Sequence, residues 1–274
     1  MLLALYTVLS AVGLLILNNF YPVFTESHSW WTMPLLFVGF FLGLVVLHGV
    51  VLVLWIYSVR LDKPVKKDSP AFRRFIALTV EMIFSVARIH IEAHGLEKIP
   101  QDRKYLLVCN HRTELDPAFL LKVLYDTPIG FIGKKEVYTD LRFIARAMHR
   151  MFGLPIDREN ARAAVKTILA AAKLLEEDTV SIGLFPEGYT NRTEDILLPV
   201  RNGSLKIATK SGAPIVVCTM CDTKEIFKNM FRRKTVIHLD VLTVLESDQS
   251  TADLGVEIEK IMRENLEKRF REKQ

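Results

Sequence analysis

Positive charge is missing from the first part of the chain. No Lys or Arg precedes Arg60, and Glu26 is the only acid before it. A secretory signal peptide would open with basic residues and end at a small-residue cleavage site, and neither is evident here. All 36 Lys and Arg residues lie from Arg60 onward, where they outnumber the acids. This mildly basic part favours an anionic membrane surface or a phosphorylated substrate as its partner.

Cysteine is also scarce, and several common motifs are absent. Cys109, Cys218 and Cys221 are too few, and odd in number, for a disulfide framework. Cys218 and Cys221 form a C-x-x-C pair, but no second pair completes a zinc site, so we predict buried core thiols. The chain has no G-x-x-x-x-G-K-[ST] phosphate loop and no G-x-S-x-G hydrolase elbow. It also has no Lys/Arg-rich block, so we expect no nucleic-acid partner.

Two long apolar runs occupy the stretch that lacks positive charge. Residues 1–17 would form a helix of about 25 Å and residues 33–57 one of about 37 Å, so the second can span a bilayer. We therefore predict a two-helix membrane anchor over residues 1–60. The loop at 18–32 has no Lys or Arg, whereas basic residues follow the second run. By the positive-inside rule, the rest of the chain lies on the cytoplasmic face of the cell membrane.

The remainder predicts one α/β domain. Residues 61–88 read as a linker and an amphipathic helix, and residues 89–274 alternate short β-branched runs with longer helical stretches. This alternation predicts a mostly parallel sheet flanked by helices. The predicted strands are 89–93, 105–109, 129–133, 180–185, 215–220 and 236–242. The predicted helices are 71–89, 117–125, 140–151, 161–177, 203–211 and 251–271.

A first polar cluster, from Asn110 to Asp116, directly follows the predicted strand 105–109. In α/β sheets, active sites lie beyond the carboxyl ends of the strands. A turn here would bring the Asp116 carboxylate to the His111 imidazole, fix its tautomer and raise the basicity of its other nitrogen, as deprotonation of an alcohol requires. Asp116 before Pro117 is also a good helix N-cap, and both roles are compatible. A metal site would need more ligands than stand nearby.

A second polar cluster, residues 153–158, reads Gly-Leu-Pro-Ile-Asp-Arg, and it is predicted to be a short strand that ends in Asp-Arg before a helix. Arg158 at the start of that helix is suited to holding a phosphate together with free backbone N–H groups. The alternative is a solvated Arg that follows an Asp cap. Upstream, Lys134 and Lys135 also follow a predicted strand and could contact an anion.

A third polar cluster, residues 185–192, reads Phe-Pro-Glu-Gly-Tyr-Thr-Asn-Arg. It follows the predicted strand 180–185, and its Pro and Gly favour a turn beyond the strand end. This turn is expected to place Glu187 near Arg192, at the same edge of the sheet as the first two clusters.

In order and spacing, these clusters resemble the motifs of the PlsC-type 1-acylglycerol-3-phosphate acyltransferases. Asn-His-x₄-Asp resembles the first motif, Gly-Leu-Pro-Ile-Asp-Arg the second and Phe-Pro-Glu-Gly the third. Gly-Ala-Pro-Ile-Val-Val at 212–217 resembles the fourth, and the likeness covers roughly residues 89–242. There are two departures. Tyr189 stands where the third motif usually has Thr, which moves the Arg to position 192, and Cys218 replaces a second Pro in the fourth motif.

The resemblance implies acyl transfer without a covalent acyl-enzyme. His111 would take the proton from the sn-2 hydroxyl of 1-acylglycerol-3-phosphate (lysophosphatidic acid) as that hydroxyl attacks the thioester of acyl-CoA or acyl-carrier protein. Asp116 would orient the imidazole, and the product would be phosphatidic acid for phospholipid biosynthesis. No metal and no organic cofactor is implied. The residues to which the resemblance assigns substrate binding are Arg158, Glu187, Gly188, Arg192, Lys134 and Lys135.

Three other functions remain open from the sequence. The first is an acyltransferase of the same fold that acts on another lysophospholipid or on an amino-acid lipid. The second is a catalytically silent lipid-binding protein, which the presence of both His111 and Asp116 disfavours. The third is a hydrolase, in which water would replace the lipid alcohol. Membrane lipids are expected neighbours in every case.

Overall fold

The computed structural model describes residues 1–20 and 29–272, and the chain divides after Arg60 into two compact units. The N-terminal unit consists of helices α1 (Leu2–Phe20) and α2 (Ser29–Ser58). Both are long and apolar enough to cross a membrane. The uncharged loop predicted at 18–32 falls partly on residues 21–28, outside the described residues. The two helices support membrane association, as the sequence predicts.

A polar contact links α1 to α2 within this apolar unit. The Tyr6 hydroxyl lies 2.9 Å from Nδ1 of His48, which is only 6% exposed. The Phe40 ring packs closely against Gly13, where an added Cβ would approach it to 3.4 Å. Small residues and buried polar pairs are typical of helix–helix contacts in lipid. His48 therefore has a structural partner within the hairpin.

The second unit, Leu61–Gln274, is built on one seven-stranded sheet of order β1-β7-β6-β2-β5-β3-β4. The five strands from β6 to β4 are mutually parallel, which confirms the predicted mostly parallel sheet. At one edge, β7 runs antiparallel to β6, and β1 runs parallel to β7. The strands are β1 (Ile89–His94), β2 (Leu106–Cys109), β3 (Ile129–Lys134), β4 (Leu154–Ile156), β5 (Ser181–Leu184), β6 (Ile215–Cys221) and β7 (Thr235–Leu245).

Most helices flank the sheet close to their predicted positions, and the helix predicted at 140–151 spans Arg142–Arg150. A separate short helix, Lys135–Asp140, begins immediately after β3 and ends at Leu141, whose φ of −113° and ψ of 68° lie outside the helical region. This helix and a second short one, Glu225–Asn229, were not predicted. The helices of this unit are α3 (Pro70–Val86), α4 (Asp116–Val123), α5 (Lys135–Asp140), α6 (Arg142–Arg150), α7 (Ala161–Glu176), α8 (Asn202–Ser211), α9 (Glu225–Asn229) and α10 (Thr251–Arg271).

The sheet has a hydrophobic core on each face. Successive residues of a strand point to opposite faces, and in β2 Leu106 contributes to one core while Leu107 contributes to the other. Helices α7, α8 and α10 contribute to the first core, and α3 and α4 contribute to the second. Cys109 and Cys218 are fully buried free thiols, as predicted, whereas Cys221 is half-exposed.

One side chain extends the pairing of β2 with β6 beyond the last backbone contact. Asn110, which is 1% exposed, accepts a hydrogen bond from the Met220 N–H at 2.7 Å. Its amide also donates to the Met220 carbonyl at 2.9 Å. The Asn110 side chain thus hydrogen-bonds to both the N–H and the carbonyl of Met220, as the backbone of a paired strand would. The start of the polar segment after β2 is therefore held in place by these two hydrogen bonds.

Replacing Asn110 tests this contact. The N110A variant leaves the buried N–H and carbonyl of Met220 without partners, so we expect the free energy of unfolding to fall by about 2–4 kcal/mol. Urea titration of the full chain in detergent measures the change. Gln249→Ala, which removes an exposed amide, is the matched control and should change stability by less than about 0.5 kcal/mol. Equal losses in both variants would contradict the role of Asn110.

Candidate active site

Asp116 and His111 meet just beyond the end of β2. One oxygen of the Asp116 carboxylate, Oδ2, lies 2.9 Å from Nδ1 of His111. The same oxygen accepts the backbone N–H groups of Arg112 at 2.6 Å and Thr113 at 2.9 Å. The other oxygen accepts the Thr113 hydroxyl at 2.7 Å, and the residue is fully buried. Because the carboxylate accepts at Nδ1, that nitrogen carries the proton and Nε2 keeps its lone pair.

The Asp116 side chain does not cap α4. The helix begins at Asp116 itself, Leu115 is the N-cap residue, and no side chain caps the helix there. The carboxylate instead turns back toward the preceding loop. The predicted N-cap role was therefore wrong, because the loop supplies two backbone N–H groups and an imidazole that hold the carboxylate away from the helix.

The His111 ring is held on its other sides by the segment that follows β5. It stacks on Phe185, with ring centroids 4.1 Å apart and an angle of 18° between the rings. Nε2 lies 3.2 Å from the Thr190 hydroxyl. Since Nδ1 carries the proton, the hydroxyl donates to Nε2. The side chain is 12% exposed, so the imidazole presents its basic nitrogen to a hydroxyl in a largely buried setting.

Glu187 holds the backbone of His111. It is 2% exposed, and its two oxygens accept the N–H of His111 at 2.6 Å and the N–H of Leu198 at 2.9 Å. Burial raises the pKa of this carboxyl, although the two backbone N–H groups oppose the shift. On the other side, the Asn191 N–H donates to the His111 carbonyl at 2.7 Å. The first and third clusters are thus joined around the His111 peptide.

Three of the predicted substrate-binding side chains lie at the surface with acidic partners. Arg192 is 80% exposed and pairs with Glu114 of the first cluster. Contact with a substrate would require these side chains to exchange their partners, and their binding role stays a prediction. The pairs are Arg192 with Glu114 at 2.6 Å, Lys134 with Glu136 at 3.5 Å and Lys135 with Asp157 at 3.1 Å.

Arg158 is arranged differently, and it meets a residue that the sequence analysis missed. The Tyr189 ring contacts two guanidinium groups, with its centroid 5.0 Å from Cζ of Arg158 and 4.7 Å from Cζ of Arg201. Burial has the largest effect and lowers the pKa of Arg158; the Arg201 charge lowers it further, whereas Tyr189 and Glu136 oppose the shift. Within residues 1–20 and 29–272, neither arginine forms a direct ion pair with a carboxylate. A half-buried and an exposed arginine outside any ion pair are suited to binding a phosphate.

Gly188 allows Arg201 to reach this position. Its φ of 78° lies in the left-handed region, which favours glycine. A Cβ at Gly188 would lie 2.7 Å from Cδ and 2.8 Å from Nε of Arg201. A larger residue would therefore strain the turn and displace the arginine. The predicted role of Gly188 as a direct ligand stays a prediction, but its place beside the arginine pair is clear.

Comparisons with known proteins agree with this geometry. The family model "Acyltransferase" matches residues 90–221, which include the first and third clusters. A 1-acyl-sn-glycerol-3-phosphate acyltransferase of Bacillus subtilis is 29% identical over 57% of this chain and 75% of its own length. One from Limnanthes alba is 32% identical over 60% of this chain and 58% of its own length. Several curated relatives are matched over only about half of their length.

A solved structure has the same fold. The 1-acyl-sn-glycerophosphate acyltransferase PlsC from Thermotoga maritima superposes with a TM-score of 0.60 and covers 81% of this chain and 88% of its own. Its identity to this chain is 21%. At this identity the likeness concerns the fold, and it agrees with the mostly parallel sheet flanked by helices. Residues 90–221 thus match the acyltransferase family model, and the chain is similar in sequence to 1-acyl-sn-glycerol-3-phosphate acyltransferases and in fold to PlsC.

Proposed function

We propose that this chain transfers a fatty acyl group from acyl-CoA or acyl-carrier protein to the sn-2 hydroxyl of 1-acylglycerol-3-phosphate. The product is phosphatidic acid, a precursor in phospholipid biosynthesis. The observation that carries this proposal is the His111 imidazole, whose Nδ1 is held by a buried carboxylate while Nε2 faces a hydroxyl. That arrangement suits a general base acting on an alcohol.

In the proposed reaction, Nε2 of His111 takes the proton of the acceptor hydroxyl as the oxygen attacks the thioester carbonyl. The C–S bond then breaks, an ester forms, and the proton on the imidazole neutralises the departing thiolate. Asp116 keeps the proton on Nδ1 and stabilises the imidazolium that forms in between. Such a positioned base typically contributes about 10²–10⁴ to the rate. No protein nucleophile is needed.

We further propose that Arg158 and Arg201 hold the phosphate of the acceptor. Both guanidinium groups lie over the Tyr189 ring, and this cation–π contact orients them. Arg158 is half-buried, and its charge is penalised by the nearby Arg201. A phosphate dianion that contacts both guanidinium groups would offset that repulsion and form charge-assisted hydrogen bonds with them.

The N-terminal unit suits a reaction whose acceptor and product are membrane lipids. Helices α1 and α2 are apolar over lengths that can cross a bilayer, and most of their large side chains are exposed. The acceptor and the product both carry long acyl chains that stay in a membrane. We propose that the hairpin holds the catalytic unit at the cytoplasmic face of the cell membrane, where thioester donors are made and basic residues meet anionic headgroups.

The first test is thiol release from a long-chain acyl-CoA by the full chain in detergent, with and without 1-acylglycerol-3-phosphate. His111→Ala should lower acceptor-dependent release by about 10²–10⁴-fold, because the base is lost. His90→Ala, which alters an exposed histidine on β1, is the matched control and should keep full activity. Wild-type release without acceptor would indicate a hydrolase. No release with either donor or with a panel of lysophospholipid acceptors would exclude the proposal.

A second test concerns the phosphate contacts. Arg201→Ala should lower kcat/KM for 1-acylglycerol-3-phosphate by about 10- to 100-fold, mainly through KM, because a charged hydrogen bond to bound acceptor is lost. With 1-acylglycerol, which lacks the phosphate, wild type and variant should be equal. Arg103→Ala, at the opposite end of β2, controls for loss of an arginine. A larger effect from Arg192→Ala would favour the sequence-based assignment over Arg201.

A third test uses the pH dependence of stability. Because burial raises the pKa of Glu187 above its usual value of 4.5, the folded chain binds this proton more tightly than the unfolded chain. The contribution of Glu187 to the free energy of unfolding is therefore fully present below the usual pKa. It is lost as pH rises through the raised pKa of the folded chain. Relative to Glu187→Gln, wild type should therefore lose unfolding free energy as pH rises.

Urea titrations between about pH 4 and about pH 7 measure this difference between wild type and Glu187→Gln. Glu264→Gln, at an exposed position on α10, gives the effect of removing a carboxylate from the surface. A difference between wild type and Glu187→Gln that stays constant across the range, or one that grows in favour of wild type, would contradict the raised pKa.

A further inference from the structure

Three potential metal ligands meet at the edge of the sheet, away from the proposed active site. Glu92 and His94 lie on the edge strand β1, and His238 lies on the neighbouring strand β7. We propose that these three side chains bind a divalent transition-metal ion of the zinc class. Strands β7 and β6 separate β1 from β2, which carries the catalytic loop. The proposal is therefore independent of the proposed acyl transfer.

The strand register brings the ligands together. Glu92 and His94 are two residues apart on one strand, so both side chains point to the same face. His238 is the register partner of Glu92 on β7. One ligand atom from each of the three residues lies within 4.8 Å of the other two. The distance between Nδ1 of His238 and Oε2 of Glu92 is 3.5 Å.

These distances suit a tetrahedral ion. Bonds of about 2.1 Å at tetrahedral angles place neighbouring ligand atoms about 3.4 Å apart. The distance between the Glu92 and His238 ligand atoms is already close to that value. The exposed side chains of Glu92 and His94 can turn toward the same ion. Three protein ligands leave one position for water.

The chemistry of the three ligands favours zinc-like ions over magnesium or calcium. Imidazole nitrogen is a preferred ligand for zinc, nickel and copper, whereas magnesium and calcium prefer sites made only of oxygen. Nδ1 of His238 is buried and makes no hydrogen bond within the described residues, because the Glu92 contact is too poorly placed to count as one. A metal ion would supply the partner that this nitrogen lacks.

The nearest additional carboxylate is already engaged. Asp240, the register partner of His94, accepts two hydrogen bonds from Arg269 at 2.8 Å and 2.5 Å. The site therefore has one carboxylate and two imidazoles, and it retains a positive charge when a divalent ion binds. A bound ion would connect the edge strand β1 to β7 and stabilise the folded unit rather than take part in acyl transfer.

The test is zinc binding by the full chain in detergent, without a histidine tag. The protein is first stripped with a chelator and is then incubated with zinc. Wild type should retain one zinc ion per chain after gel filtration, as measured by elemental analysis. His94→Ala and His238→Ala should each lose it. His90→Ala, on the same face of the same strand, and Cys221→Ser, which removes a half-exposed thiol, should keep it. Equal unfolding temperatures of all variants in chelator would show that each is folded.

Thermal unfolding gives a second readout. Saturating zinc should raise the unfolding temperature of wild type by about 5 °C, and magnesium should not. Neither His94→Ala nor His238→Ala should respond to zinc. The proposal is overturned if wild type retains no zinc, if both of these variants retain it, or if His90→Ala or Cys221→Ser loses it.

Discussion

The buried Asp116 carboxylate is the interaction on which the proposed active site depends. A carboxylate without solvent is costly unless hydrogen bonds compensate for its lost hydration. Here the donors are the imidazole, two backbone N–H groups and one hydroxyl, all from the five residues before it. The hydrogen bonds that compensate the charge therefore also fix the conformation of the loop and orient His111. The spacing of four residues between His and Asp follows, because the carboxylate must reach the N–H groups of its own turn.

A second buried carboxylate completes this arrangement from the neighbouring strand. Glu187 binds the N–H of His111 and the N–H of Leu198, and thus joins the loop after β2 to the segment after β5. Arg112 adds a hydrogen bond to the carbonyl of Asp195 at 2.6 Å. The two loops are therefore held together mainly by the side chains of Glu187 and Arg112, each of which binds backbone groups of the other loop. Variation in the exposed part of the third cluster, such as Tyr189, can then alter the substrate site without moving the base.

Much of this architecture could be predicted from the sequence, since apolar periodicity reports burial and polar clusters mark strand ends. The strands lie within a few residues of their predicted bounds, and His111 and Asp116 are paired as expected. Other features depend on tertiary contacts that periodicity does not report. The reversed direction of β7 and the short helices α5 and α9 are of this kind. So are the outward turn of Arg192 and the approach of Arg201, a lone basic residue after an apolar stretch.

The contact between Thr190 and His111 bears on why an alcohol rather than water would react. Nε2 has one lone pair, and the Thr190 hydroxyl already donates to it. A substrate hydroxyl must therefore displace Thr190, and a small molecule such as water gains little by doing so because it only replaces one hydrogen bond with another. A lysophospholipid also brings a phosphate to Arg158 and Arg201 and acyl-chain contacts with the membrane. In the proposed reaction, that remote binding energy would favour the lipid hydroxyl at the base and limit hydrolysis of the thioester.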